Sequence, residues 1–384
     1  MIDYVYLSCK PMHNIRLLDS YRGLAAIVVF LDHLSATFLL PFTGASGTLD
    51  TIMGLLGGWA VNIFFILSGY LITFSILVNT NTNGRFVWQN YLVSRIARIY
   101  PPLMASLALC VIIYLTVNYF NLHGKQTYRL PTDLYLIREK FEIRYREIFY
   151  SLLMQGGMLN ANGPLWSLYV ETKTYLLAMF IAIFMMGKIG KTWKLVSIMS
   201  VFYLLVDLYQ FISYVAIWML GAAAALVLHG HLLKRTYLNL VYGGAITVSI
   251  FCFIANPDLF MQQFIITGAG FAASLSFSII LAGFMFDWQL GAQTMSLFSK
   301  TAKYSYTLYI VHFPLLLLAF SLTHQFISAN FHYAYLTFNC LLTFVIILFI
   351  AKIIAKYFEN KRYFESLIWK HMFRHSEKNG NFKK

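Results

Sequence analysis

Charge is what this sequence has least of. Of 384 residues, 11% are charged and 59% are hydrophobic. A globular chain is typically about 25% charged and about 45–50% apolar, and a soluble fold of this length still needs polar residues to cover its surface. The shortage excludes a water-soluble globular enzyme, a coiled coil and a disordered chain. Cysteine is also scarce. Cys9, Cys110, Cys252 and Cys340 are too far apart to form a metal-ligand set or a disulfide framework. His229 and His231 stand in an HGH step with no third ligand nearby, so no metal is expected. The sequence contains no phosphate-binding P-loop, no dinucleotide fingerprint, no HExxH and no GxSxG elbow.

What it does contain is long apolar runs. They fall near 21–41, 56–78, 101–120, 164–187, 193–207, 211–229, 238–256, 263–286, 304–323 and 333–356. A membrane-spanning helix needs ~20 such residues. The expectation is an all-α polytopic membrane bundle of about ten transmembrane helices. It is read as one domain over 1–384, with a core at 17–356 and a basic tail at 357–384. The run at 193–207 is short and is separated from the next only near Asp207. A further run at 148–158 is too short to span and reads as re-entrant or interfacial. The first run is too long for a signal core and lacks a small-residue cleavage site, so it is expected to stay.

The formal net charge of +14 first suggests an anionic partner. Its distribution gives a plainer meaning. With ten spans and a cytoplasmic N-terminus, Lys and Arg collect in alternate connections and in the C-terminal tail, which places both termini in the cytoplasm. Every short connection on the opposite side lacks them. The exception is the long loop with Lys125, Arg129, Arg138, Lys140, Arg144 and Arg146, partly balanced by Asp133, Glu139, Glu142 and Glu147. The excess charge is therefore topology, and no nucleic acid is expected. The tail alternates aromatic and basic residues and is expected to lie on the membrane surface as an amphipathic helix. The small residues Gly221–Ala225 and Gly268/Ala272/Ser276 suit close helix packing.

The informative residues are the ionisable ones inside the apolar runs, because each is costly in lipid. They are Asp32, His33, Glu171, Lys173 and His312, with Arg22, Arg95 and Arg98 at run edges. Arg22 and His33 are eleven residues apart. That spacing is three turns plus about 20°, so they share a helix face, with His33 ~16 Å deeper. Arginine binds oxyanions bidentately, and imidazole transfers protons near neutral pH. The competing reading is a topology anchor at Arg22 and a packed histidine at His33 paired with Asp32. Arg95 and Arg98 form an i, i+3 pair just before Pro101–Pro102, where a span is expected to begin. They suit a diphosphate or serve as a second topology signal. Lys173 sits ~200° around the helix from Glu171. Glu171 therefore needs a cation or a histidine from another helix, for which His33 is the candidate. His312 precedes Phe313–Pro314 and reads equally as a packing residue at a kink.

Five blocks in order carry a family resemblance. They are LDSYRGLAAIVVFLDH with Arg22 and His33, GGWAVNIFFILSGYLIT with Tyr70 in place of the commoner Phe, SRIARIYPP, GPLWSLYVE, and KYSYTLYIVHFPL. From about Leu17 to Lys356 the chain resembles the integral-membrane acyltransferase family 3. It departs after Glu171, where Thr172–Lys173–Thr174–Tyr175 replaces a more acidic, amide-bearing pattern. The esterase-like domain that many members carry after the bundle is expected to be absent.

The resemblance implies an O-acyltransferase of a bacterial cytoplasmic (inner) membrane. It would move an acyl group, most often acetyl, from cytoplasmic acyl-CoA to a hydroxyl of a surface glycan or lipid-linked sugar such as O-antigen, capsule or exopolysaccharide. Acetyl-CoA would be a substrate, with no permanently bound cofactor. The resemblance makes His33 the general base or the acyl carrier, with Glu171 or Asp32 orienting it. Arg22, Arg95 and Arg98 would hold the coenzyme A phosphates, and Ser68, Tyr70, Trp166 and His312 would lie toward the substrate. The alternative from composition alone is a transporter or flippase of a sugar or lipid.

Overall fold

The computed structural model describes residues 11–39, 48–122, 143–229, 298–329 and 333–372. Among these residues the protein is all helix, with no strand. The elements are α1 (Pro11–Phe38), α2 (Thr48–Asn83), α3 (Trp88–Tyr119), α4 (Tyr145–Leu152), α5 (Leu165–Met186), α6 (Lys191–Asp207), α7 (Ile212–His229), α8 (Ser305–Ala329), α9 (Tyr333–Phe358) and α10 (Lys361–Met372). A single 3₁₀ turn at Tyr209–Phe211 joins α6 to α7.

Among the described residues, five stretches are long and apolar enough to cross a membrane: Ile52–Asn83, Trp88–Tyr119, Leu165–Met186, Ser305–Thr323 and Ala334–His371. The expected runs at 238–256 and 263–286 lie outside the described residues. Large apolar side chains point away from the bundle on α6 and α9, including Phe202, Leu341 and Phe349. Exposure to water would cost each of them roughly 1.5–3 kcal/mol, a cost that lipid contact removes.

Helix α1 packs against α2, α8 and α9, and α8 packs against α1, α3 and α9. The inner face of α1 is Ala25, Ala26, Val29 and Phe30, all at or below 1% exposure. Its small residues let neighbouring helices approach, and its large ones fill the space between turns. The α2–α7 seam uses glycine on both sides. A Cβ at Gly69 would strike the Trp218 carbonyl, and one at Gly221 would strike the Ile66 carbonyl. Bare backbone is what permits this approach.

One element departs from expectation. Pro101 and Pro102 do not begin a span; they lie inside α3, which runs unbroken from Trp88 to Tyr119. Proline removes one backbone donor per residue, which frees the carbonyls four residues earlier without forcing a break. Arg95 and Arg98 therefore sit on the body of α3 rather than before it. The basic tail forms α10, as expected, and α10 packs against α3. Arg362, Tyr363 and Lys370 remain on its exposed side.

The run near 148–158 is part helix and part turn. Helix α4 leaves Tyr145, Phe149 and Tyr150 exposed. The chain then turns back into the bundle, and Met158, Ala161 and Asn162 are fully buried. Tyr169 of α5 holds this turn: its hydroxyl donates to the Gly157 carbonyl at 2.8 Å and lies 2.9 Å from Ser151 Oγ.

Candidate functional site

A partly open cavity of about 80 Å³ lies between α1, α2, α3, α5 and α8. One end carries Arg22, Arg95 and Arg98, and the other reaches Ser167 and Tyr309. Val61, Phe64, Phe65 and Leu71 of α2 form an apolar wall, and Glu171 and Tyr175 of α5 contribute polar groups. A second, more open cavity is lined by Asp19, Arg22, Arg98, Lys303, Tyr306, Glu359 and Lys361. The two share Arg22, Arg98 and Tyr306, so together they form one path from the end of the bundle inward.

The cationic end is held by hydroxyls more than by carboxylates. Arg95 Nη2 donates to Ser75 Oγ at 3.1 Å, and the guanidinium lies 5.4 Å from the centre of the Tyr91 ring. Its Nε is buried and has no hydrogen-bond partner among the described residues. Arg22 Nη2 donates to Ser305 Oγ at 3.5 Å, and its Nη1 lies 3.7 Å from Asp19. Among the described residues, neither Arg95 nor Arg98 has a carboxylate at ion-pair distance. Three guanidinium groups with one exposed acidic partner make a site for an anion of multiple charge. Glu359 sits at the same mouth but is engaged elsewhere. It accepts from the Thr307 backbone N–H at 2.6 Å and from Thr307 Oγ1 at 2.7 Å, in the first turn of α8.

Deeper in, α1 and α8 bring two histidines together. His312 Nε2 lies 3.1 Å from His33 Nδ1. His33 Nδ1 also lies 3.0 Å from the Val29 carbonyl, and His312 Nδ1 lies 2.9 Å from the Leu308 carbonyl. A carbonyl only accepts, so the network assigns the proton to Nδ1 in both rings. His312 Nε2 is then a lone pair that receives the His33 Nδ1 proton. His33 Nε2 keeps its own lone pair, the form in which imidazole takes a proton. The Tyr309 ring at the inner end of the cavity lies 6.0 Å from His312, and the Phe313 ring meets His33 edge-on at 5.5 Å. Tyr309 OH and Ser167 Oγ are 2.6 Å apart, with Ser167 donating to the Pro164 carbonyl.

Arg22, Arg95, Arg98, Ser68 and Glu171 converge on the cavity, and His33 and His312 form a pair just beyond its inner end. Glu171 does not meet His33. Its carboxylate accepts from Tyr175 OH, one turn along the same helix. Ser68 Oγ lies 3.4 Å from that hydroxyl and accepts from Trp218 Nε1 at 3.2 Å. Lys173 is paired with Asp207 at 2.6 Å, which ties α5 to α6. Asp32 lies on the α1–α2 seam, its carboxylate filling the space a Cβ at Gly57 would need. Adjacent residues on a helix diverge by about 100°, so Asp32 points away from His33. Tyr70 and Trp166 do not line the cavity. Tyr70 OH bonds His229 Nε2 at 2.6 Å across α2 and α7, and Trp166 stacks on Phe211 and meets Tyr214 edge-on.

Residues 15–355 match the acyltransferase 3 family, described as an acyltransferase domain, and the chain belongs to that family. It is a multi-pass integral membrane protein. A curated protein of Haemophilus influenzae (strain Rd), described as an uncharacterized protein, is 30% identical over 160 residues. That match covers 40% of this chain and 60% of the relative, so less than two thirds of the relative is spanned. No solved structure matches.

Proposed function

We propose that this protein transfers an acyl group, acetyl in the first instance, from acyl-CoA to a hydroxyl of a surface glycan or lipid-linked sugar. The observation that carries the proposal is the path itself, with three arginines at its outer part and a histidine pair just past its inner end. Coenzyme A is a polyanion with a long, mostly apolar arm and a terminal thioester. Arg22, Arg95 and Arg98 suit its phosphates, and the α2 wall suits the arm. The thioester then lies toward Tyr309 and the histidines. The membrane is proposed to be a bacterial cytoplasmic membrane, with the arginine end facing the cytoplasm.

In this mechanism His33 Nε2 takes the proton of the acceptor hydroxyl as its oxygen attacks the thioester carbonyl. The C–O bond forms, the C–S bond breaks, and the departing thiolate takes the proton from the imidazolium. His312 Nε2 holds the His33 Nδ1 proton throughout, as the orienting member of a catalytic pair does. It occupies the role that the sequence suggested for Glu171 or Asp32. Such assistance contributes about 10²–10⁴-fold.

The test is mass and NMR analysis of surface glycans from cells with and without the protein, beside membranes incubated with labelled acetyl-CoA. An added acetyl on a defined sugar, dependent on His33, supports the proposal. Unchanged glycans together with no label transfer contradict it.

A further inference from the structure

Pro314 has no backbone N–H, so the carbonyl four residues earlier, at Ile310, loses its helical partner. In a membrane helix such a freed carbonyl needs another donor. Two are supplied. Ser106 Oγ of α3 donates to it at 2.6 Å, and Asn162 Nδ2 of the chain before α5 donates to it at 2.6 Å. Asn162 Nδ2 also lies 3.1 Å from Ser106 Oγ. Ser106 and Asn162 are fully buried. His312 is two residues beyond Ile310, and Phe313, whose ring borders His33, lies against Gly163.

We propose that Ser106 and Asn162 are positioning residues for the His33–His312 pair. By clamping the carbonyl that Pro314 frees, they tie this turn of α8 to α3 and to the chain before α5. That fixes where His312 Nε2 meets His33 Nδ1. The inference rests on the reading of this pair as the proton-transfer site. Neither residue touches substrate; both act through His312. A displacement of about 1 Å is enough to cost ~10²-fold in rate.

A purely structural role makes a different forecast. If the carbonyl only needed a donor, restoring one inside the helix would suffice. Pro314→Ala supplies that donor, because the residue 314 N–H can then bond Ile310, but it does not restore the tie from Ser106 of α3. The experiment compares Ser106→Ala, Asn162→Asp and the double variant Ser106→Ala/Pro314→Ala with the wild type. Thermal unfolding of detergent-purified protein is read beside the kcat and acetyl-CoA KM of label transfer in membranes. The single variants are expected to lose kcat at least tenfold with an unchanged KM, and the double variant to regain thermal stability without regaining kcat. Recovery of kcat along with stability would overturn the inference, as would single variants with wild-type kcat.

A second measurement needs no substrate. Diethyl pyrocarbonate labelling of His33 and His312, read by mass spectrometry, is expected to speed up several-fold in Ser106→Ala and Asn162→Asp. Equal labelling rates at equal folded fraction would overturn the inference. Full label transfer by His33→Ala would instead overturn the proton-transfer reading, while a changed labelling pattern would leave the clamp standing.

Discussion

His312 Nε2 lies 3.1 Å from His33 Nδ1, although 279 residues separate the two in sequence. Helices α1 and α8 make this contact by packing side by side, with Arg22 over Ser305 at one end and His33 over His312 further in. Each ring is also fixed by a carbonyl one turn back on its own helix. His312→Phe is therefore expected to lower acyl transfer about 10²-fold at unchanged protein level, the size of a lost orienting partner. His312→Gln, whose side-chain oxygen can still accept from His33, is expected to retain more activity than His312→Phe. Initial rates of label transfer in matched membranes check both.

The arginine end gives a separable forecast. Arg95 is held by Ser75, and its Nε has no other partner among the described residues. Arg95→Ala is expected to raise the acetyl-CoA KM about tenfold, in line with the ~1.5–3 kcal/mol of a charge-assisted hydrogen bond. Ser75→Ala should raise it less, and neither should change kcat much. A kcat loss with an unchanged KM in both variants would argue against phosphate binding at this end.

Glu359 is expected to matter for stability. It accepts two hydrogen bonds in the first turn of α8, the work of an N-terminal cap supplied from another element. Glu359→Ala should cost about 0.5–2 kcal/mol. A lowered unfolding midpoint in detergent, reversed in part by Glu359→Gln, would show this.

The α2–α7 seam sets a steric prediction. Gly221→Ala places a methyl group on the Ile66 carbonyl, with no flexible side chain to move aside. The expected cost is about 1–3 kcal/mol, typical of overpacking. Gly190→Ala, which meets open space, is the control and should unfold like wild type.

Much of this architecture was legible because lipid makes polar groups conspicuous. Arg22, Arg95, Arg98, His33 and Glu171 stood out as charges the apolar runs did not need, and helical spacing already set Arg22 and His33 on one face. Partnership was less legible. Glu171 suggested a histidine across the bundle, yet a local tyrosine four residues on, Tyr175, satisfies it. Ser167, Tyr306 and Tyr309 were missed, since hydroxyl residues blend into apolar runs. Their spacing carried the signal: Ser167, Glu171 and Tyr175 recur every four residues, and Ser305, Tyr309 and His312 follow at four and three. The prolines misled in α3 because a sequence shows the lost donor at Pro101 but not the packing that lets the helix continue. In α8 the same lost donor marks the place where Ser106 and Asn162 attach.

The central claim is that His33 is the base of an acyl transfer. Its most direct test is incorporation of label from acetyl-CoA into endogenous acceptors, in membranes holding equal amounts of wild-type protein and His33→Ala. The account predicts that His33→Ala loses at least ~10²-fold of the rate, the lower end of general-base assistance. Transfer at the wild-type rate by His33→Ala would contradict it.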